Sequence, residues 1–499
     1  MNILPEKTGL GSTPVLILTS LLLVTMGWML FISNLSVNIS LISSVSEGVG
    51  SFRDKPIVLV SIGILTSYAL VVISAVLLSV APHVFVGVLV FLMAVSEAHI
   101  PIVQQISLSA RYILMVILIV NGTLVLMRKG YSSLRFVQKL GILILIIVLM
   151  HFAFDEGKLE SALMLPVQFA MFLGVLIGLG DCLDENENLR KLSVSLAVVG
   201  LLMTAVNVLG FHYANMPYEG GRYKSWYPLA TGFANNYVLL LVPVAWLLID
   251  SKSMIKKVFL FPFFLCGSYM VAISGTRNAI FTLMVALSIF IIFWRPVYLL
   301  LLFIVAAPIV GYFGVSNHSI GDFGDAGIRV LSGVSADETR FGVWRLAFEF
   351  IGHKPIWGYG LSTSLRTLTE YLPDWERFDS HNAMLGVWIK LGIIGVVSYL
   401  MLFGASIIRG LKILKESRAS SNGSCFVLFL SIVFIILISG LFEENLSSRG
   451  SIQQVLLVLG VLVLNVNARV DARGVGVNKI DGSSSLWRDS GVHLQKNGD

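Results

Sequence analysis

The chain has 499 residues, of which 56% are hydrophobic and only 13% charged, and its mean hydropathy is +0.85, so it carries about half the charge of an average soluble domain. That composition excludes a water-soluble globular protein. The net charge of +6 does not indicate nucleic acid either, because Lys and Arg are scattered through short loops and the tail and form no basic face interleaved with aromatics.

Apolar runs of roughly 20 residues, the length needed to cross the hydrocarbon layer, follow one another almost end to end. They predict an all-α polytopic membrane protein with about fourteen spans, range 12 to 14, near 13–33, 57–79, 83–103, 106–127, 140–155, 165–182, 192–211, 233–250, 258–274, 278–294, 297–315, 382–408, 425–442 and 451–467. The first run is longer than a signal-peptide core and no small-residue cleavage site follows it, so it reads as a retained helix. The organisation expected is an N-terminal set of helices over 1–200, helices with Arg-bearing loops over 201–315, a large outer segment over 316–381, C-terminal helices over 382–467 and a disordered tail over 468–499.

Four loops are basic: Arg128, Lys129, Arg135 and Lys139; Lys252, Lys256 and Lys257; Arg409, Lys412, Lys415 and Arg418; then Arg469 and Arg473. Even numbers of predicted spans separate them, so all four fall on one side and both termini are predicted to be cytoplasmic. The segments 34–56, 212–236, the turn at Arg277, 316–381 and 443–450 then lie outside.

Within the long outer segment, Phe341, Trp344, Phe348 and Ile351 recur at helical spacing, which predicts an amphipathic helix over 339–351 lying at the membrane interface. Ser335 and Glu338 have the spacing of a capping box, and Pro355-Ile-Trp-Gly-Tyr-Gly360 ends the pattern with turn-forming residues.

Several polar residues stand out against this background. Arg277, in Ser274-Gly-Thr-Arg277-Asn278, sits at a break between two uniformly apolar spans, where a guanidinium is costly without an anionic partner or water. It reads either as an interfacial Arg reaching lipid phosphate or as recognition of a phosphorylated lipid substrate. Arg222 and Lys224 oppose the charge rule on the outer side, beside Gly220, Gly221, Trp226 and Tyr227, and are followed by Asn235 and Asn236. An aromatic-belt anchor is the plainer reading of Lys224.

Arg111 is an intramembrane charge that either pairs with Glu97 or another helix or supports a substrate. His381 precedes Asn382 where the outer segment re-enters the membrane, with Asp379 nearby; an imidazole there is a candidate general base, although a lone interfacial His is more often structural. On the amphipathic helix, Arg345 has Glu349 as an i+4 partner, which leaves Arg340 the freer cation.

Asp155, Glu156, Asp181, Glu443 and Glu444 lie at predicted helix ends, where solvated carboxylates are ordinary. Cys182, Cys266 and Cys425 read as inert core residues. No His-x-x-x-His, Asp-x-Asp or Glu-x-x-His spacing recruits a metal, and no phosphate-binding glycine loop occurs, so the expectation is a mechanism without metal or cofactor.

Taken in order, Gly221-Arg222 with Asn235-Asn236, Ser274-Gly-Thr-Arg277, Arg340-Phe-Gly-Val-Trp344 leading to Pro355-Ile-Trp-Gly-Tyr-Gly360, and Ser380-His381-Asn382 followed by Leu391-Gly-Ile-Ile-Gly395 resemble the O-antigen ligase and polymerase superfamily over about residues 200–410. The resemblance implies a GT-C type membrane glycosyltransferase of the bacterial inner membrane with a periplasmic active site. Its implied partners are the lipid bilayer, a polyprenyl-diphosphate-linked oligosaccharide donor, a glycan or lipid A core acceptor and a chain-length regulator, with no nucleic acid.

Carried onto matching positions, the resemblance implies that Arg222 and Arg277 hold the pyrophosphate, that Arg340 assists and that His381 activates the acceptor hydroxyl. Asn235, Asn382, Lys224 and Trp344 support them; Arg111 has no firm motif match. A polymerase is favoured over a ligase by the number of spans. The second class of reading is a flippase or exporter for the same glycan, which would spread intramembrane charges along a central path.

Overall fold

A computed structural model describes residues 71–97, 101–155, 158–180, 182–183, 186–213, 218–219, 222–225, 227, 229–294, 335–370, 379–417, 423–443 and 451–465. The predicted spans near 13–33 and 297–315, and the tail from 468, lie outside the described residues.

The described chain is a helical membrane bundle. Its helices are α1 (Val71–Val80), α2 (Pro82–Ser96), α3 (Pro101–Lys129), α4 (Phe136–Phe154), α5 (Lys158–Phe169), α6 (Asn186–Tyr213), α7 (Ala230–Asp250), α8 (Met254–Ile273), α9 (Arg277–Trp294), α10 (Ser335–His353), α11 (Leu365–Leu368), α12 (Ala383–Ser417), α13 (Gly423–Gly440) and α14 (Ile452–Asn465). Among the described residues, 7 helices are long and apolar enough to cross a membrane, and shorter apolar helices, α1, α2, α9 and α14 among them, accompany those. In hydrocarbon every backbone N–H and C=O must be satisfied within its own segment, which is why uninterrupted apolar runs become helices here.

Local sequence explains most boundaries. Pro82 stands in the first turn of α2 and Pro101 opens α3, since a proline's missing N–H costs nothing where the helix has no partner for it. The predicted span over 83–103 therefore ends at Ser96, and Pro101 begins the next helix. Beyond α5 the chain continues as a π-helical stretch, Ala170–Gly178, packed against α3.

Two features interrupt the helical pattern. Between α6 and α7 lies a two-stranded antiparallel hairpin, β1 (Tyr218–Glu219) and β2 (Arg222–Tyr223), with Glu219 opposite Arg222. In α12 the helix breaks at Gly392, whose φ of 66° and ψ of −170° are not helical. The main core gathers Phe85, Phe172, Phe233, Trp246, Phe290, Phe426 and Phe429, all fully buried. Large apolar residues such as Phe261, Leu265 and Phe281 are exposed on the bundle surface, as expected where helices face hydrocarbon rather than water. A second, smaller cluster joins Val343, Ala347 and Ile351 of α10 to Leu365 of α11 and to Leu385 and Ile389 of α12.

Candidate functional site

The hairpin is pinned to α7 by aromatic packing. Phe233 meets Tyr223 edge-on at 5.2 Å and Tyr227 at 5.7 Å, and stacks on Tyr237 at 5.3 Å. Tyr223, fully buried, donates from its hydroxyl to Asn207 O at 3.0 Å, while Tyr227 donates to Ala94 O at 3.1 Å. Ser225, held at a φ of 53°, donates to the Asn207 side chain. These contacts fix the backbone of Arg222 at the end of the bundle where α7 begins. Lys224, two residues on, is half-buried.

A polar network continues from the same end of α7. Asn235 and Asn236 are both buried. Asn236 Nδ2 donates to the carboxylate of Glu97 and its Oδ1 accepts from Gln453 Nε2 at 3.1 Å. Arg111, also buried, donates to Ser96 Oγ at 2.8 Å, lies over the Tyr112 ring at 5.2 Å and is within electrostatic reach of Glu97. Buried charges persist only when paired and hydrogen-bonded in this way.

Arg277 opens α9 and is exposed. Its neighbour Asn278 points inward: Nδ2 donates to Asn235 Oδ1 at 3.4 Å and to Ser439 Oγ at 3.2 Å. The preceding turn is closed by Ser274, whose hydroxyl donates to Val271 O at 2.6 Å and accepts from Thr276 N at 3.3 Å. The Ser-Gly-Thr-Arg-Asn run thus ends α8, turns and starts α9 with Arg277 outward and Asn278 inward.

The segment that carries α10 reaches the same end. Trp344 of α10 donates from Nε1 to Ser380 O at 3.1 Å, and buried Ser380 donates to Asn382 O at 3.1 Å. Asn382 caps α12: its Oδ1 accepts from Met384 N at 2.9 Å and Leu385 N at 3.1 Å, satisfying two N–H groups that a helix start leaves without partners. Its Nδ2 donates to Leu441 O at 3.4 Å, just past α13.

Between these anchors His381 sits at a φ of 45°. The left-handed region is sparsely populated by non-glycine residues and persists where surrounding contacts impose it, as at many functional sites. Asn278 and Asn382, the neighbours of Arg277 and His381, therefore hold the same end of α13, through Ser439 and Leu441.

The motifs Pro355–Gly360 and Leu391–Gly395, read separately from sequence, belong to one interlock between residues 355–360 and 389–393. Tyr359 N donates to Ile389 O at 2.7 Å, Gly360 N to Lys390 O at 3.1 Å and Ile393 N to Pro355 O at 2.9 Å. The break at Gly392 frees the carbonyls of Ile389 and Lys390, and the loop supplies the missing donors. Gly358 and Gly392 face each other across the contact, where a Cβ on Gly358 would lie 2.7 Å from Gly392 N.

Some sequence expectations are corrected. Asp155 is not a solvated carboxylate: it is 4% exposed and accepts from Ser362 N at 2.8 Å and Ser362 Oγ at 2.5 Å. The apolar positions predicted to share one face of α10 are divided. Ile351 is buried with Val343 and Ala347, Trp344 is half-buried, and Phe341 and Phe348 stay exposed, because the packed stripe follows the i, i+4 row over Leu365 and Leu385. Among the described residues no ion pair joins Arg345 to Glu349, and both are exposed. Cys266 is exposed rather than in the core.

The side chains of Arg222, Arg340, Trp226, Glu156, Asp181 and Glu444, and the capping pair Ser335 and Glu338, lie outside the described residues, although the backbone of Arg340 is in α10.

Sequence reasoning set Asp155 aside as an ordinary helix-end carboxylate and missed Lys390. Lys390 is buried at the break in α12 and lines a small cavity with Gln168, Leu361 and Tyr399. A lysine inside an otherwise apolar run was the available signal.

Residues 262–400 match the O-antigen ligase family model, a stretch that begins in α8 and ends in α12 and so contains Arg277, α10, the interlock and His381. An O-antigen ligase of Salmonella typhimurium strain LT2 is 32% identical over 125 residues, 23% of this chain. The matched stretch spans 30% of that relative's length.

Proposed function

We propose that this chain, a membrane protein whose matches support the O-antigen ligase and polymerase superfamily, transfers glycan from a polyprenyl-diphosphate donor to a sugar hydroxyl at the periplasmic face of the bacterial inner membrane. The observation that carries the reading is the gathering of Arg277 and His381 at one end of the bundle, through Asn278 on Ser439 and Asn382 on Leu441.

In this reading the acceptor hydroxyl oxygen forms a bond to the anomeric carbon as the bond from that carbon to the pyrophosphate oxygen breaks. The electron pair leaves with the lipid pyrophosphate, the hydroxyl proton passes to the His381 imidazole, and the anomeric configuration inverts. Arg222 and Arg277, assisted by Arg340, supply the positive charge that the departing pyrophosphate needs. Lys224 and Asn235 brace the Arg222 side and Trp344 and Asn382 the His381 side. Arg111 acts from within the Glu97 network.

The number of predicted spans favours a polymerase, whose acceptor is another lipid-linked repeat. A ligase, whose acceptor is lipid A core, is the second reading, favoured by the name of the matched relative. Either protein works with the bilayer and the lipid-linked donor; a chain-length regulator would accompany the polymerase.

The test is reconstitution of wild type, Arg277→Ala and His381→Ala in lipid nanodiscs with a synthetic polyprenyl-diphosphate oligosaccharide and each acceptor in turn. Release of polyprenyl diphosphate with a lengthened glycan, lost in both variants at equal protein levels, supports the reading, and the productive acceptor separates polymerase from ligase. Wild-type turnover by both variants rejects the site. In cells lacking the native protein, lipid-linked repeats trapped on the cytoplasmic face would indicate a flippase instead.

A further inference from the structure

We infer that Asp155 is a positioning residue for His381, acting through the loop that it clamps into the break of α12; the inference rests on the reading of His381 as the proton acceptor. The Asp155 carboxylate, beyond the end of α4, takes both donors of Ser362, and Gly360 lies so close that a Cβ there would be 3.0 Å from Asp155 Cγ. One turn earlier on α4, His151 places Nε2 2.5 Å from Trp357 O. The end of α4 thus holds the loop at two points, Trp357 within the stretch 355–360 whose three hydrogen bonds fill the break and Ser362 just after it.

That loop decides where the first segment of α12, from Ala383 to the break, can stand. One side of the segment, Ala383, Val387 and Leu391, packs on the main core. The other, Leu385 and Ile389, packs on the smaller cluster with α10. Apolar contact is non-directional and does not by itself fix the segment's position along the two clusters. Its directional contacts are at its two ends: Asn382 on Leu441 O, with Ser380 held by Trp344, at the start, and the loop hydrogen bonds at Ile389 and Lys390, with Trp388 Nε1 on Pro355 O, at the break, where Asp155 fixes the loop from behind. Asn382 caps the start of the segment, so a shift of the loop at the break is passed along it to His381. A nucleophile and base misplaced by about 1 Å can lose about a hundredfold in rate.

Two measurements on the full chain test this. In nanodisc assays Asp155→Asn, which keeps the shape but removes one acceptor and the charge, is expected to lower kcat by about tenfold or more, with KM for the lipid-linked donor within about twofold and the apparent Tm little changed. With Cys182, Cys266 and Cys425 changed to serine, the thiol introduced by His381→Cys is expected to react with a membrane-impermeant maleimide at a rate that Asp155→Asn alters, while a thiol introduced by Arg277→Cys reacts as before. Unchanged labelling at 381, or activity falling only in proportion to folded protein, overturns the inference. If His381→Ala is inactive and Asp155→Asn turns over normally, the inference fails and the proposed function stands. If His381→Ala remains active, that reading fails first.

Discussion

Gly392 lies against the backbone of Ile356, so that a Cβ on Gly392 would sit 1.9 Å from the Ile356 carbonyl oxygen. The contact is between two main chains and has no flexible side chain to yield. Its φ of 66° with ψ of −170° is a combination reserved almost entirely for glycine.

Gly392→Ala is therefore expected to cost at least about 3 kcal/mol from backbone strain and steric overlap, enough to lower the apparent Tm in detergent by several degrees or to abolish folded yield. Gly404→Ala, in the same helix but with open space around the added methyl, is expected to be neutral or stabilising by up to about 1 kcal/mol. Equal effects of the two would remove the interlock from the account.

His381→Gly separates stability from chemistry. At a φ of 45° glycine pays no left-handed penalty, so stability is expected to be unchanged or higher by up to about 1 kcal/mol, while glycan transfer disappears. Retained transfer by this variant would show that the imidazole is dispensable.

Asn382→Ala removes the acceptor for Met384 N and Leu385 N and is expected to cost about 1 kcal/mol. Asn382→Asp keeps that cap but gives up the hydrogen bond to Leu441 O and adds a negative charge next to His381. Thermal unfolding should rank Asp above Ala, while turnover should fall in both.

Arg277→Lys tests charge against geometry at α9. A lysine keeps the positive charge but cannot reproduce the planar fork that matches phosphate oxygens. Donor turnover is expected to fall by about tenfold or more in Arg277→Lys and further in Arg277→Ala; indistinguishable rates for Lys and Arg would reduce the role to a point charge.

Asn236→Asp sets a second carboxylate against Glu97, replacing the donor of their hydrogen bond. Like charges in a buried site are strongly unfavourable, so folded yield should collapse, and the double variant Glu97→Gln with Asn236→Asp should recover it. The experiment reads membrane abundance and apparent Tm for the single and double variants.

The membrane character, most helix boundaries and the polar exceptions were legible in the sequence, because each follows from local chemistry. An uninterrupted apolar run must satisfy its own backbone as helix, a proline begins a helix more readily than it continues one, and a guanidinium amid apolar spans announces itself. Arg277 could be singled out on those terms, Arg222 by opposing the charge rule, Arg340 by lacking the i+4 partner that Arg345 has, and His381 as an imidazole where a hydrophilic segment meets an apolar span; the run 355–360 stood out by its turn-forming residues.

What the sequence alone could not supply is which distant groups meet. Asp155 reads locally as an ordinary carboxylate at a helix end, and only the loop bearing Ser362 makes it a buried acceptor. The run 355–360 looks like an independent turn and Leu391-Gly-Ile-Ile-Gly395 like part of a continuous span, yet residues 355–360 and 389–393 satisfy each other's backbone. Asn278 and Asn382 carry no mark that both will close on the end of α13. Periodicity and composition act over one helix turn or one span, and so they determined the elements. Hydrogen bonds across the bundle depend on how those elements stack, and that was decided by tertiary packing.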